Sequence, residues 1–546
     1  MKFLKLVWQA AGVRRLKLAI ALMGSTFGMI GVLVVVSQVL DPEGHGGDSK
    51  VPELFGLFLF VTAAFSVILG NAIGQRLSVA IVEDLLDRIR RDYADLVRRS
   101  DYGRFEAFGG TRVYDTLTRN SQTLTEAAIM SIHGVAAFGA LALGGLYTLI
   151  ISPLVFAVII GVIIVSTFFF RLTQRQSHLA LTQTSERQTA FFSLFRHLID
   201  GFKEVKLHNP RGESIEHEHL DPASAELRDS QIFAAVQINR GVSVSYFFFY
   251  LMLATIAFVL PPFVGEHGII VQSLYVAIFM LSVVEIILKA VPIITRASFA
   301  IDELNAVEQS LREVVSNERA PTSGVEFERI EAQDLMYSYF DPDGARSFTM
   351  GPTGLDLNRG EVLFIVGGNG SGKSTLMKAF TRLYEPESGM ILWDGNPVDS
   401  NNVTDYRTLF SSVFSDFHLF DRLYGLPEIE EKTVNDLLDD LGIAHKTRYR
   451  DGVFTNTNLS TGQRKRLALA VALLENRPIL LLDELGADQD PEFRKRFYNE
   501  LIPSWKKEGR TLVIVSHEDQ YFHVADRTIV LSDGQAAVKR QNGETT

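Results

Sequence analysis

Nine consecutive residues of this chain are spaced to hold a phosphate chain: Gly367, Gly368, Asn369, Gly370, Ser371, Gly372, Lys373, Ser374 and Thr375. They fit the pattern G-x-x-x-x-G-K-[ST]. Glycines let successive backbone N–H groups turn inward around an anion, and a helix starting at the end of the loop adds its positive terminus. In that setting Lys373 reaches the β- and γ-phosphates, and Ser374 offers a hydroxyl to Mg²⁺. A second segment, Ile479-Leu-Leu-Leu-Asp-Glu484, is an apolar run that ends in two carboxylates. Asp483 is suited to holding Mg²⁺ through water and Glu484 to polarising an attacking water. The chemistry available to these side chains is hydrolysis of ATP, with ATP and Mg²⁺ as the expected cofactors.

Those residues need strands that end where the chemistry begins. Glu361–Val366 is a short apolar run of β character leading into the glycine loop, and Leu376–Phe380 continues as a helix. Strand, loop and helix form the context that the pattern requires. Ile479–Leu482 reads as a buried parallel strand, whose carboxyl end is where an open α/β sheet places its ligands. Leu459-Ser-Thr-Gly-Gln463 precedes it and opens a helix over Arg464–Leu474, with Ser460 as the cap. The N-terminus of that helix also suits an anion.

The chain has 546 residues, no cysteine and a formal net charge of −11, and its mean hydropathy is positive, +0.13. The missing cysteines exclude a disulfide framework, a thiol nucleophile and Cys-ligated metal. Residues 1–320 carry 28 basic and 29 acidic groups, whereas residues 321–546 carry 25 and 35. The acidic surplus of the second part excludes nucleic acid as its main partner. A boundary is expected near residue 320, where 317–324 reads as a linker. Domains are therefore expected over 1–320 and 321–546.

Apolar runs long enough for a bilayer occur at Leu18–Leu40, Leu54–Ile73, Ala127–Ile150, Leu154–Phe170, Val242–Val264 and Ile269–Val291. Six spans put both termini on one side. Lys and Arg concentrate before the first run and in two long connections, including Arg76, Arg88, Arg104, Arg119, Arg171, Arg175, Lys203 and Lys206, whereas the short loops carry only Lys50. The positive-inside rule places both termini in the cytoplasm. The long connections have helical patterning, so each pair of spans is expected to extend past the lipid to a hairpin tip, near Gly110–Leu117 and Gly201–Leu207. Glu285 and Lys289, four residues apart, are expected to form an ion pair near the inner end of the last span. The aromatic run Tyr246–Tyr250 is expected to face lipid or to pack.

The chain resembles an ABC transporter, and Leu459–Gln463 resembles the family signature L-S-G-G-Q, with Thr461 in place of the first glycine and Gly462 and Gln463 retained. The resemblance implies an all-α six-helix transmembrane domain of the ABC exporter type followed by an α/β P-loop ATPase domain. It implies that Ser460, Thr461, Gly462 and Gln463 close on ATP held by the glycine loop of another copy, so the working unit is a homodimer in a lipid bilayer. It also implies that Tyr339 stacks on adenine, with Tyr337 as the near neighbour. By the same resemblance His517 contacts the γ-phosphate, and Asp490 belongs to the loop crossing between copies.

One position departs from the family. Where the family has a glutamine that touches Mg²⁺, this chain has Ser415, in Val413-Phe-Ser-Asp-Phe-His-Leu-Phe420. Ser415 and the neighbouring Asp416 are both candidates for the metal. That segment, with L-S-T-G-Q-R-K-R and D-E-L-G-A-D-Q-D-P-E-F-R-K-R-F-Y, is similar to the cyclic-peptide and siderophore-peptide exporters, the group of the pyoverdine, syringomycin and lasso-peptide microcin exporters. It implies ATP-driven export of a modified or cyclic peptide, or a peptide siderophore precursor, across a bacterial inner membrane into the periplasm. Periplasmic export partners are compatible with that route. The competing readings are a lipid or lipid-linked-precursor flippase on the same fold and an ATP-regulated membrane protein without transport.

Overall fold

The structure is a computed structural model that describes residues 2–39, 53–264, 267–316, 319, 324–340 and 345–539. Leu40, Lys50 and most of the expected linker 317–324 lie outside the described residues, as do the side chains of Arg171 and Arg175. The chain divides into two compact units, residues 1–91 with 115–306, and residues 92–114 with 307–546.

The long helices are α1 (Arg15–Val39), α2 (Glu53–Arg98), α4 (Gly110–Ile151), α5 (Pro153–Asp200), α6 (Asp221–Ala254) and α7 (His267–Glu313), with a short α3 (Tyr102–Phe108) between α2 and α4. All but α3, and the ends of α2 (92–98), α4 (110–114) and α7 (307–313), build the first unit. Each of the apolar runs read from the sequence falls on one of the long helices or its immediate continuation. Helix α2 has 46 residues, roughly 70 Å of helix against a hydrocarbon core of about 30 Å. It therefore continues well past any bilayer. Among the described residues, four helices are long and apolar enough to cross a membrane, over Gly12–Gln38, Leu54–Arg98, Gly110–Ile151 and Gly268–Glu313. Pro153–Phe169 and Ser243–Val259 are shorter apolar stretches, and a π-helical turn over Thr255–Val259 closes the second of them.

Leu54, Phe58, Val61, Phe65 and Ile68 are all exposed. Their alternating spacing of four and three makes one apolar stripe down α2, a surface that lipid covers and water does not. The opposite face packs closely through small residues. A Cβ on Gly70 would lie 2.6 Å from Ser25 N, and one on Gly28 2.7 Å from Ala63 O, so α1 and α2 touch backbone to backbone there. Polar groups are matched across helices: Ser25 Oγ donates to Asn71 Oδ1 at 2.8 Å, and Gln75 Nε2 and His133 Nε2 are 2.6 Å apart. On α7 Lys289 Nζ is 2.6 Å from Glu285 Oε1, the expected pair. In the aromatic run Phe247 and Tyr250 are exposed, while Phe248 stacks on Phe169 at 5.3 Å.

The first hairpin tip differs from the expectation. Residues 110–117 belong to the long helix α4, and the tip is Asp101–Gly109. Two local devices place it there. The Asp101 carboxylate caps α3 by accepting from Arg104 N at 3.0 Å, and Gly109 ends it at φ +86°, a conformation open to glycine. The expected second tip matches a short helix over Phe202–Leu207 that follows the break at Gly201. Its Phe202 and Leu207 are exposed.

The second unit carries two main sheets and a two-stranded ribbon that pairs Tyr449–Arg450 with Val453–Phe454. In chain order its strands are β1 (Arg329–Phe340), β2 (Arg346–Asn358), β3 (Val362–Gly367), β4 (Ser388–Trp393), β5 (Phe410–Val413), β6 (Ile479–Asp483), β7 (Thr511–Val515), β8 (Arg527–Ser532) and β9 (Gln535–Lys539). An antiparallel sheet has the order β2-β1-β4, extended by Asn396–Pro397, and a six-stranded sheet has the order β9-β8-β3-β7-β6-β5. Strand β7 runs parallel to β3 and β6, and β5 runs parallel to β6. Its central strands are covered on both faces and read as unbroken apolar runs. Val362, Phe364 and Val366 enter one core, while Leu363 and Ile365 enter the other. The helices used below are α8 (Lys373–Phe380), α9 (Thr461–Leu474) and α10 (Pro491–Arg496).

Candidate nucleotide site

The parallel register gathers the chemistry at one edge. Val413 pairs with Leu482 and Val515 pairs with Asp483, while Ile365 lies opposite Val515. The carboxyl ends of β3, β5, β6 and β7 therefore line up, and each runs straight into a residue named from the sequence: the glycine loop, Ser415, Glu484 and His517. This is where open α/β sheets hold ligands.

Gly367 to Thr375 leave β3 and enter α8 as expected. A Cβ on Gly367 would sit 2.2 Å from Leu531 O, so only glycine passes beside β8 there. Gly370 adopts φ +77°, which lets the loop reverse ahead of the helix. Lys373 is buried and folds back onto the loop, donating to Gly367 O at 3.1 Å and Gly368 O at 3.0 Å. Its Nζ is 4.0 Å from Glu484 Oε1. Burial pushes the Lys373 ammonium down, against the pull of Glu484 and Asp483.

Asp483 is buried at the end of β6. Its Oδ2 accepts from Ser374 Oγ at 3.1 Å and from Ser415 N at 3.4 Å. Burial raises its carboxyl, and the hydrogen bonds from Ser374 and Ser415 work the other way. Asp483 Oδ1 is buried without a hydrogen-bond partner among the described residues. An orphaned carboxylate oxygen beside two serines is an oxygen-donor set suited to a hard cation such as Mg²⁺. Asp416 points elsewhere: its Oδ2 is 3.3 Å from Lys378 Nζ.

Glu484 turns out of the strand at φ +51°, a strained value for a residue with a side chain. Its backbone is held from two sides, since its N–H donates to Val515 O at 3.1 Å and Lys465 Nζ donates to its carbonyl at 2.7 Å. The turn aims the carboxylate at His517, with Oε1 2.9 Å from Nε2. Glu484, His517 and Lys373 thus share one corner, with a carboxylate that can take a proton and an imidazole that can orient it.

Ser460 and Thr461 are exposed at the start of α9. The Ser460 N–H donates to Gln463 Oε1 at 3.3 Å, one half of a capping box. Gly462 has no room for a side chain, because a Cβ would lie 2.4 Å from Asp488 O. The loop after Glu484 is tied to this helix. Gln489 Nε2 donates to Gly462 O at 3.1 Å, and Arg466 Nε donates to Gln489 Oε1 at 2.8 Å. Arg466 also bonds Asp490 and covers the Phe493 ring at 3.8 Å. Asp490 caps α10 by accepting from Phe493 N at 2.9 Å, and that bond, with Arg466, lowers its carboxyl.

Tyr339 and Tyr337 share one face of β1, and their surroundings separate them. Tyr337 lies flat on Tyr384 at 4.4 Å, so that face of its ring is taken. Tyr339 Oη stands 3.4 Å from Thr375 Oγ1, at the end of the loop, and donates to Tyr384 Oη at 3.2 Å. Several residues here escape a reading of motifs. Lys465 and Gln489 grip the backbone of Glu484 and Gly462, and Lys378 and Tyr384 stand beside the loop. None belongs to a pattern that names a ligand, and only proximity in the fold singles them out.

Comparison with known proteins adds an independent view. The ABC transporter family matches residues 351–487, which include the glycine loop, Ser415, the signature and both β6 acids. ATP-binding protein SyrD of Pseudomonas syringae pv. syringae is 34% identical over 403 residues, 71% of each chain. An ATP-dependent lipid A-core flippase of Aliivibrio fischeri (strain ATCC 700601 / ES114) is 23% identical over 575 residues, 98% of this chain and 92% of that one. Among solved structures, a bacterial Atm1-family ABC exporter with ATP bound aligns with a TM-score of 0.76 over 96% of this chain and 94% of that one, at 18% identity, a likeness of fold.

Proposed function

This chain belongs to the ABC exporters as a half-transporter that hydrolyses ATP, and from that premise we propose that two copies carry a modified or cyclic peptide, or a peptide siderophore precursor, out of the cytoplasm. The proposed assembly is a homodimer in a bacterial inner membrane, with six crossings per chain and both termini cytoplasmic. The observation that carries the cargo class is the 34% identity to SyrD, together with the segment around Ser415 that resembles peptide exporters. The lipid A-core flippases are the relatives that favour a second reading, a lipid flippase, at 23% identity over nearly the whole chain. The test is ATPase activity of the purified protein in nanodiscs, with cyclic peptides and lipid extract added separately. Stimulation by peptide and not by lipid is expected. The reverse result transfers the function to lipid.

In the proposed cycle, Lys373 and the loop amides bind phosphate oxygens, and Tyr339 flanks the adenine. Ser374, Asp483 and Ser415 hold Mg²⁺, which when bound neutralises phosphate charge. Glu484, oriented by His517, positions and deprotonates the attacking water. Ser460 to Gln463 approach the phosphates of the other copy.

The metal assignment separates two neighbouring residues. Ser415→Ala removes the hydroxyl of a residue whose N–H already donates to Asp483 Oδ2 at 3.4 Å. It should raise the Mg²⁺ concentration for half-maximal ATPase about fivefold, the factor for one hydrogen bond of ~1 kcal/mol. Asp416→Asn should leave that Mg²⁺ requirement in place. A magnesium titration of both variants checks this, and a shift confined to Asp416→Asn would move the role to the aspartate.

A further inference from the structure

The hairpin tip Asp101–Gly109 belongs to the same compact unit as the nucleotide site. The tip backbone sits against the site's aromatics, since a Cβ on Gly103 would lie 3.2 Å from Tyr384 Cδ1. Glu106 on α3 accepts from Tyr102 Oη of the same helix at 3.4 Å and reaches two side chains beyond the tip. Its Oε2 accepts from Tyr384 Oη at 2.5 Å, and its Oε1 stands 3.6 Å from Lys378 Nζ. Lys378 is nearly buried, with 11% of its side chain exposed, and it faces Asp416 Oδ2 at 3.3 Å. The rings of Tyr102 and Tyr384 flank its ammonium, each at 5.3 Å. Burial works against the charge on Lys378, but Tyr102, Asp416 and Glu106 outweigh it and hold the ammonium above the usual lysine range.

One ammonium is thus shared by two carboxylates on different elements. Glu106 comes from the tip, and Asp416 directly follows Ser415, whose N–H sits on Asp483. If the tip withdraws, Glu106 leaves and Asp416 keeps the whole cation. If the tip presses in, the cation is drawn toward Glu106. Either change bears on the main chain next to the metal end of the site. Ser415 itself has a short side chain, so the contact from this segment toward the tip runs through Asp416 and Lys378.

We propose that Glu106, Lys378 and Asp416 form the ion-pair node through which the tip helix acts on the nucleotide site, one ammonium being shared between two carboxylates. These are positioning residues, since each acts on the site through a neighbouring group. The node rests on the Ser415–Asp483 arrangement and on ATP hydrolysis, not on the identity of the cargo.

The test uses the full-length protein in nanodiscs without cargo, so a wrong cargo class leaves it readable. Glu106→Gln and Asp416→Asn each keep shape and remove one charge. Each should lower kcat about 5- to 10-fold, in the range of a linked-site coupling, with ATP binding measured by a fluorescent nucleotide changed less than about threefold. Because both act on the same lysine, the double variant should lose no more than the worse single one. Lys378→Arg should keep most of the turnover, and Lys378→Met should match the double variant. Multiplicative losses in the Glu106→Gln/Asp416→Asn pair would overturn the node. So would loss of nucleotide binding in parallel with kcat, which marks a merely structural role. If Lys378→Met fails to fold, the Glu106→Gln/Asp416→Asn cycle still decides.

Discussion

Glu484→Gln is expected to keep binding ATP while its turnover falls about 10²- to 10⁴-fold, the contribution of a positioned general base. The backbone of Glu484 explains why binding survives. Its strained turn is gripped through main-chain atoms, by Lys465 on the carbonyl and Val515 on the N–H. An isosteric amide leaves both grips in place. It also keeps an oxygen for His517, now 2.9 Å from Oε1. What the amide lacks is a basic carboxylate able to accept the proton of a water. The variant should therefore accumulate as a closed, ATP-loaded dimer. Steady-state hydrolysis and nucleotide occupancy measured together check this. Wild-type turnover would remove Glu484 from the role, and empty sites would mean that the substitution damaged binding instead.

Mixed dimers give the second large effect. Ser460 and Thr461 are exposed at the start of α9, and a concave surface beside them is lined by Gly442, His445, Gln463 and Asp488. A helix terminus open in this way can receive phosphate from another molecule. One chain carrying Lys373→Ala is paired with one carrying Ser460→Arg. If sites are shared, the altered loop and the altered signature fall in the same composite site, and the other site is intact. One of the two sites should then retain nucleotide, whereas homodimers of either variant should lose both. Occupancy after trapping distinguishes the cases more cleanly than turnover, because coupling between two sites would mask the activity of the intact one. Loss of both sites in the mixed dimer would show that each chain completes its own.

These results depend on features with different visibility in the sequence. The glycine loop was legible because its chemistry is local: consecutive N–H groups and one lysine make a phosphate cradle wherever a strand precedes and a helix follows. The apolar runs were legible for a similar reason, as burying twenty residues in lipid depends on composition more than on partners. The acid pair after β6 was legible because a buried parallel strand shows itself as an unbroken apolar run. The signature was read by resemblance, and the reason for Gly462 became visible only when Asp488 O proved to occupy the space of a side chain.

Tertiary structure decided what depends on register and on distant approach. Nothing within Val413–Phe420 distinguishes Ser415 from Asp416 as a partner for the metal. The pairing of Val413 with Leu482 separates their surroundings, because it brings Ser415 N to 3.4 Å from Asp483 Oδ2 and leaves Asp416 facing Lys378. The tip was expected near Gly110–Leu117, because helical patterning locates a connection without fixing where the helix resumes. The positive φ of Gly109 and the cap at Asp101 moved it upstream. Tyr337 and Tyr339 share one face of a strand, so only the stacking of Tyr384 on the first separates them. The meeting of Glu106 with Lys378 and Tyr384 had no signature in the chain at all. A carboxylate 278 residues from the phenol it meets carries no local pattern. They meet only when folding brings Glu106 Oε2 to 2.5 Å from Tyr384 Oη and its Oε1 to 3.6 Å from the nearly buried Lys378 ammonium.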